Sequence, residues 1–208
     1  MLDDEYYVVT RPRQDDQRHD LLPTLGPDED TADLEYRDEA LPLGHKPLIF
    51  INALKESRQR KGMTTVKSPP SVLFDGDNPL VRGTVREKLL ALDIQDLVLQ
   101  PAIFIDDWDT WHEDYWFLTF LETHRYWDVN KSRLGRGVPV GSDTLQTVYD
   151  FALDEKRLSE IPLKDRLLFQ MDSLPSVVVA HRSVAGFFRG DGNNGALVIP
   201  IRDYPNRP

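Results

Sequence analysis

LVLQPAIFIDDWDTWHEDYWFLTFLE, residues 97–122, sets two apolar stretches on either side of a short acidic interval. The first, LVLQPAIFI (97–105), is rich in aliphatic and β-branched residues; the second, DYWFLTFLE (114–122), is aromatic. Both compositions suit strands. In the second, Tyr115, Phe117, Thr119 and Leu121 alternate with Trp116, Leu118, Phe120 and Glu122, and both sets are largely apolar. A strand apolar on both faces is covered on both, so 114–122 is expected at the centre of a sheet. The two stretches are expected to pair as a hairpin with a loop of about eight residues, longer than usual.

Working outward, Val81, Val85, Leu89 and Leu92 recur at helical spacing behind Asp77, Asn78 and Pro79, which predicts a helix over 79–92. Strands are expected at 5–10 and 47–54, and the basic Lys55–Lys67 stretch reads as a solvated loop. Residues 11–43 are acidic and punctuated by Pro12, Pro23, Pro27 and Pro42, a long wrapping loop or partly mobile arm. Downstream, 130–147 is glycine-rich and polar, a loop or hinge. Strands are expected near 148–153, 166–171, 177–180 and 196–201, with short helices at 154–161 and 181–190. Strands and helices mix without a βαβ repeat, so the expectation is α+β: residues 1–208 as a single domain, a mainly antiparallel mixed sheet and a few short helices.

The 208 residues carry 25 basic and 35 acidic side chains, a net −10. Thirteen of the acids but only four of the bases fall in residues 1–40, leaving the remainder close to neutral. Such a lobe repels nucleic acid and membrane surfaces and steers a basic protein partner. With no cysteine, disulfides, thiolate metal sites and cysteine nucleophiles are excluded. MLDDEYYVV places acids where a signal peptide needs bases, so a cytoplasmic location is expected. No stretch approaches the roughly 18 apolar residues of a membrane span.

Two motifs invite a chemical reading. Gly190-Asp191-Gly192-Asn193-Asn194-Gly195 spells G-x-G-x-x-G, but it follows an expected helix and precedes a strand, the reverse of a dinucleotide fingerprint; it reads as a helix stop and turn. The denser cluster is Asp106, Asp107, Trp108, Asp109, Trp111, His112, Glu113 and Asp114. Carboxylates beside a histidine could serve a small metal-dependent hydrolase. The stretch matches neither a two-histidine metalloprotease helix nor a calcium loop, and the Asp75 stretch has Arg86 where a calcium loop needs glutamate. A solvated hairpin tip is the plainer reading, and two tryptophans framed by acids fit a protein-binding patch better still. The other histidines, His19, His45, His124 and His181, are dispersed, and no nucleophile elbow or phosphate loop occurs. No catalytic residue, metal or cofactor is expected.

The order of segments carries a resemblance. PLVRGTVREKLLAL leads to LVLQPAIFI and YWFLTFLETHRYWDVNKS, then FALDEKRLSEIP, RLLFQM, SVVVAHRSVAGFF and GALVIPI. Over about 79–201 this resembles the bacterial immunity-protein family first described from a myxobacterial protein, long listed as a domain of unknown function beside polymorphic toxin genes. The best matches are Trp127-Asp128 to Ser132, Leu153-Asp154-Glu155 to Pro162, the His181 helix and Gly195 to Pro200; residues 11–70 match poorly. The resemblance implies a non-catalytic protein that binds and neutralises a cognate toxin inside the producing cell. The acidic lobe suits a basic toxin; an adaptor with no toxin is the other non-enzymatic alternative. The expected interface is the Asp106–Asp114 cluster.

Overall fold

The 97–122 hairpin is the middle of a six-stranded sheet in the computed structural model, which describes residues 2–12, 22–63, 67–134, 148–150, 152–172, 177–189 and 195–204. In chain order the strands begin with β1 (Tyr6–Thr10), β2 (Leu25–Pro27), β3 (Leu48–Asn52), β4 (Val72–Asp75) and β5 (Asn78–Arg82). Next come β6 (Leu97–Ile105), β7 (Trp111–Phe120), β8 (Thr123–His124), β9 (Arg133–Leu134) and β10 (Val148–Asp150). The last are β11 (Leu168–Met171), β12 (Val178–His181) and β13 (Leu197–Pro200). The α-helices are short: α1 (Glu29–Ala32), α2 (Lys55–Arg60), α3 (Gly83–Leu90), α4 (Glu155–Ser159) and α5 (Arg182–Ala185).

The large sheet runs β2-β3-β6-β7-β5-β4 and a second runs β13-β1-β12-β11-β8; β9 and β10 form a separate pair. Only β3–β6 and β11–β8 are parallel within these two sheets. The protein is therefore a single α+β domain with mixed, mostly antiparallel sheets. No helix among the described residues is long and apolar enough to cross a membrane.

Three cores follow from the alternation of side chains across each strand. Leu118 and Phe120 of β7 face the second sheet and meet Val9, Leu168, Val178, α3 and α5 in the core between the sheets. Tyr115 and Phe117 point to the opposite, outer face, where they pack with Phe50, Leu80, Phe104 and Tyr36. Tyr6, Trp127, Leu153 and Phe169 fill a third core behind the second sheet. From Tyr115 to Phe120 strand β7 is thus covered on both faces, as its composition requires.

Several elements differ from the sequence reading. The helix over 79–92 is a strand and then a helix: Val81 lies in β5 opposite Trp116, and only Val85 and Leu89 are helical. The two-residue turn Gly76–Asp77, with Gly76 at φ 60°, closes β4 onto β5 and puts Pro79 opposite Phe74. A four-residue spacing places Val81 and Val85 on the same core from either element. The Lys55–Lys67 stretch begins as helix α2 rather than loop. Strand β7 starts at Trp111, so the hairpin tip is Asp106 to Thr110, shorter than expected. Within 11–43 the chain forms β2, α1 and a fixed cover over the outer face, while residues 13–21 lie outside the described residues. The expected hinge beyond residue 134 and Gly190 to Asn194 also lie outside them.

Candidate functional site

The tip of the β6–β7 hairpin is organised by one buried carboxylate. Asp106, 5% exposed, accepts the Trp108 and Thr110 N–H groups on Oδ1 at 2.8 and 2.9 Å. Its Oδ2 lies 3.0 Å from His112 Nε2. Burial alone would push this carboxyl up; the bonds from His112, Thr110 and Trp108 outweigh it and hold Asp106 below the ordinary carboxylate value. The His112 ring is stacked on Phe104 at 5.9 Å, so its ring and its Nε2 are both engaged in the hairpin.

The neighbouring acids are also at work in the fold. Asp107 accepts from Asn52 Nδ2 at 2.8 Å, tying the tip to β3. Asp109, at φ 60°, pairs with Lys55 of α2 at 2.7 Å. Asp114 accepts the Gly83 N–H at 3.1 Å, which caps α3 from another strand in place of a local side chain. A Cβ at position 83 would meet that carboxylate, so a side chain there would push Asp114 off the amide.

The expected cluster is thus brought together, but as a joint between β3, α2, α3 and the hairpin. Trp108 and Trp111 are 44% and 55% exposed, and Glu113 is also exposed. Among the described residues, no group of three or more His, Asp or Glu side chains is gathered where a metal ion could be held. Beside the tip a hollow of about 440 Å³ is lined by Ile51, Ile105, Lys55, Glu56, Arg60 and Asp109.

Composition hinted at one surface without locating it. Tyr36 is buried between Phe50 and Phe117, and its hydroxyl donates to the buried Asp75 at 2.7 Å. Burial first, and then Asp75, push the Tyr36 hydroxyl's pKa upward. Arg37 pairs with the same carboxylate at 2.9 Å. Gln100 donates to the Tyr36 carbonyl and accepts the Leu41 N–H, so the cover is stitched to the sheet at both ends. Glu29, Asp30, Asp33, Glu35, Asp38 and Glu39 remain exposed on it. The arm is therefore an acidic plate fixed over its described length.

The remaining histidines have structural surroundings. His124 stacks on Tyr126 at 4.8 Å. His181 is buried, accepts the Ser183 N–H at the start of α5, and is driven toward its neutral form by burial. The Trp127 to Ser132 stretch is tied locally and to Leu153: Asp128 accepts the Asn130 N–H, Ser132 donates to the Asp128 carbonyl, and Leu153 bridges Trp127. Compared with known families and characterised proteins, the chain matches no family model and no curated protein.

Proposed function

We propose that this chain is a non-catalytic immunity protein, which binds a basic protein toxin and neutralises it in the cytoplasm of the producing cell. The observation that carries this reading is the condition of the Asp106–Asp114 cluster. Its best-placed acid–base pair, Asp106 and His112, is spent on holding the hairpin, while Trp108 and Trp111 stand out in solvent beside it. Groups positioned for chemistry are normally left open toward a substrate, whereas exposed tryptophan suits a protein contact. The fixed acidic plate supports the same reading, since it raises the rate of encounter with a cationic partner. The segment-order resemblance over 79–201 supplies the toxin as the kind of partner.

The test is protection. Any toxin-like gene encoded beside this one is expressed in a susceptible cell with and without the chain. Survival that depends on stoichiometric amounts of the chain, with a purified one-to-one complex, is the expected result. Killing that proceeds regardless, with no complex formed, overturns the proposal.

A further inference from the structure

The six-stranded sheet is covered unevenly on the face it turns toward the second sheet. Leu97, Leu99, Trp116, Leu118 and Phe120 of that face belong to the shared core. The pairing register puts Ile49 beside Ile103, Ile51 beside Ile105, and Ile105 beside Trp111 on the same face. None of these five belongs to a core cluster among the described residues. Ile51 is 39% and Trp111 55% exposed, and the other isoleucines are partly exposed. Together they make an apolar corner spanning β3, β6 and β7, with the hollow before α2 at its end.

A defect in the ladder puts the tryptophan there. Ala102 pairs with Tyr115 and Phe104 with His112, so β7 spends one residue more than β6 over this interval. That is a β-bulge, which re-aims the side chains beyond it. With unbroken alternation Trp111 would follow Tyr115 and Phe117 to the outer face, and His112 would turn inward. The bulge instead stacks His112 on Phe104 and turns Trp111 out beside the isoleucines. An aromatic side chain directed onto a partly exposed apolar face has the makings of an interface anchor.

Charge selects the occupant. The Ile49 end of the corner is bound to α1, through Ile49 N–H to Thr31 Oγ1 at 2.8 Å and Asp28 N–H to the Ile49 carbonyl. Exposed Glu29 and Asp30 precede Thr31 in α1, and Glu113 is exposed in the bulge opposite Ile103. On the α2 side Lys55 is paired with Asp109, and Arg60 stands one turn from Glu56. Glu29, Asp30, Glu56, Asp109 and Glu113 thus stand at the rim against Lys55 and Arg60, an excess of acid. A second copy would bring another chain of net −10 against it, which disfavours self-association.

We infer that Ile49, Ile51, Ile103, Ile105 and Trp111 form the docking face for a cationic protein surface. An apolar side chain of the partner fills the hollow before Ile51 and Ile105, and its lysines or arginines face Glu29, Asp30 and Glu113. This rests on the binding reading above and gives it a place: the contact centres on the sheet corner and shares with the Asp106–Asp114 cluster Trp111, Glu113 and the acids at the wall of the hollow, Asp106 and Asp109.

A short amphipathic leucine–lysine peptide, with a leucine–glutamate peptide as counterpart, probes the face without the toxin. The leucine–lysine peptide is expected to bind and to weaken with added salt. Trp111→Ala and Ile103→Gln, confirmed as folded by their circular dichroism and unfolding curves, are each expected to weaken it by about tenfold or more. Leu163→Gln, at an exposed leucine outside the corner, leaves it unchanged. Equal binding by wild type and both corner variants overturns the proposal, as does equal binding of the glutamate peptide. A dimer in sedimentation that Trp111→Ala dissolves also overturns it, making a second copy the occupant. The toxin assay separates the two readings. Protection that survives both corner substitutions leaves immunity standing and removes this face; absent protection with the peptide pattern intact removes immunity and leaves the face.

Discussion

The two sides of the β3–β6–β7 corner are built from similar residues and meet opposite fates. On the outer side Leu48, Phe50, Ala102, Phe104 and Phe117 lie under the acidic plate and are 0–2% exposed. On the inner side Ile51 and Trp111 are 39% and 55% exposed. Hydrophobicity alone does not separate them. The outer side carries polar hooks, Gln100, Thr119 and Asp75, each bonded to the covering segment at Tyr36 or its neighbours. Once buried, such hooks must stay paired, which makes the cover permanent. The inner corner offers apolar side chains and a hollow, which suit a contact that can form with another molecule.

The strongest way to break this comparison is to truncate the centre of each side. Tyr36→Ala removes a ring packed between Phe50 and Phe117 together with the hydroxyl bonded to Asp75. It should cost about 3–5 kcal/mol in urea unfolding, in the range for large aromatic truncations. Trp111→Ala should shift stability by no more than about 0.5 kcal/mol. Comparable losses at both positions would mean that the inner corner is core.

A smaller effect sharpens the role of the hooks. Gln100 is 5% exposed; its amide donates to the Tyr36 carbonyl and Thr119 and accepts the Leu41 N–H. Gln100→Leu keeps the bulk but strands these partners, and should cost about 2–3 kcal/mol. Backbone amides of residues 36–41 should gain hydrogen exchange before those of β6. Loss of stability without local release of the cover would detach Gln100 from that task.

The sequence made one side of this contrast far easier to read than the other. LVLQPAIFI is β6 to the residue, because a run of aliphatic and β-branched side chains bounded by acids has few alternatives as a strand. The plate was not readable as a cover: one tyrosine among carboxylates shows no period, and its anchors, Asp75 and Gln100, lie 39 and 64 residues away. The 79–92 segment misled because Val81, Val85 and Leu89 reach the shared core whether strand or helix presents them. The candidate cluster was found by composition, yet its division of labour was hidden. Counting cannot foresee a bulge that changes which face receives Trp111, nor a carboxylate that caps a helix 31 residues away.

The tip that borders the corner gives a pH-dependent test. The Asp106 carboxyl is held below its ordinary value, so the fold binds fewer protons there than the unfolded chain. Its contribution is therefore present above the ordinary carboxylate value of 3.8 and lost as pH falls through the depressed folded value. Asp106→Asn should cost about 1–2 kcal/mol at neutral pH. The gap from wild type should close in acid, as measured by unfolding curves across that range. A gap that stays constant to low pH would mean that shape, not charge, holds the tip.

The smallest expected effect lies where the bulge meets α3, and its signature is non-additivity. Asp114 accepts the Gly83 N–H, one of the donors that the first turn of α3 leaves without an intrahelical partner. Asp114→Ala should cost about 1 kcal/mol, the typical loss of a helix cap. Gly83→Ala should also destabilise, because the new methyl meets the Asp114 carboxylate and pushes it from the amide. With Asp114 already alanine that collision is gone, and the ordinary preference of helices for alanine over glycine remains, about 0.5–1 kcal/mol in favour. Gly83→Ala should therefore change sign between the two backgrounds, a coupling that denaturant unfolding of the double-mutant cycle can resolve. Simple addition of the two losses would show that Asp114 and α3 are independent, and that the bulge is held by β6 alone.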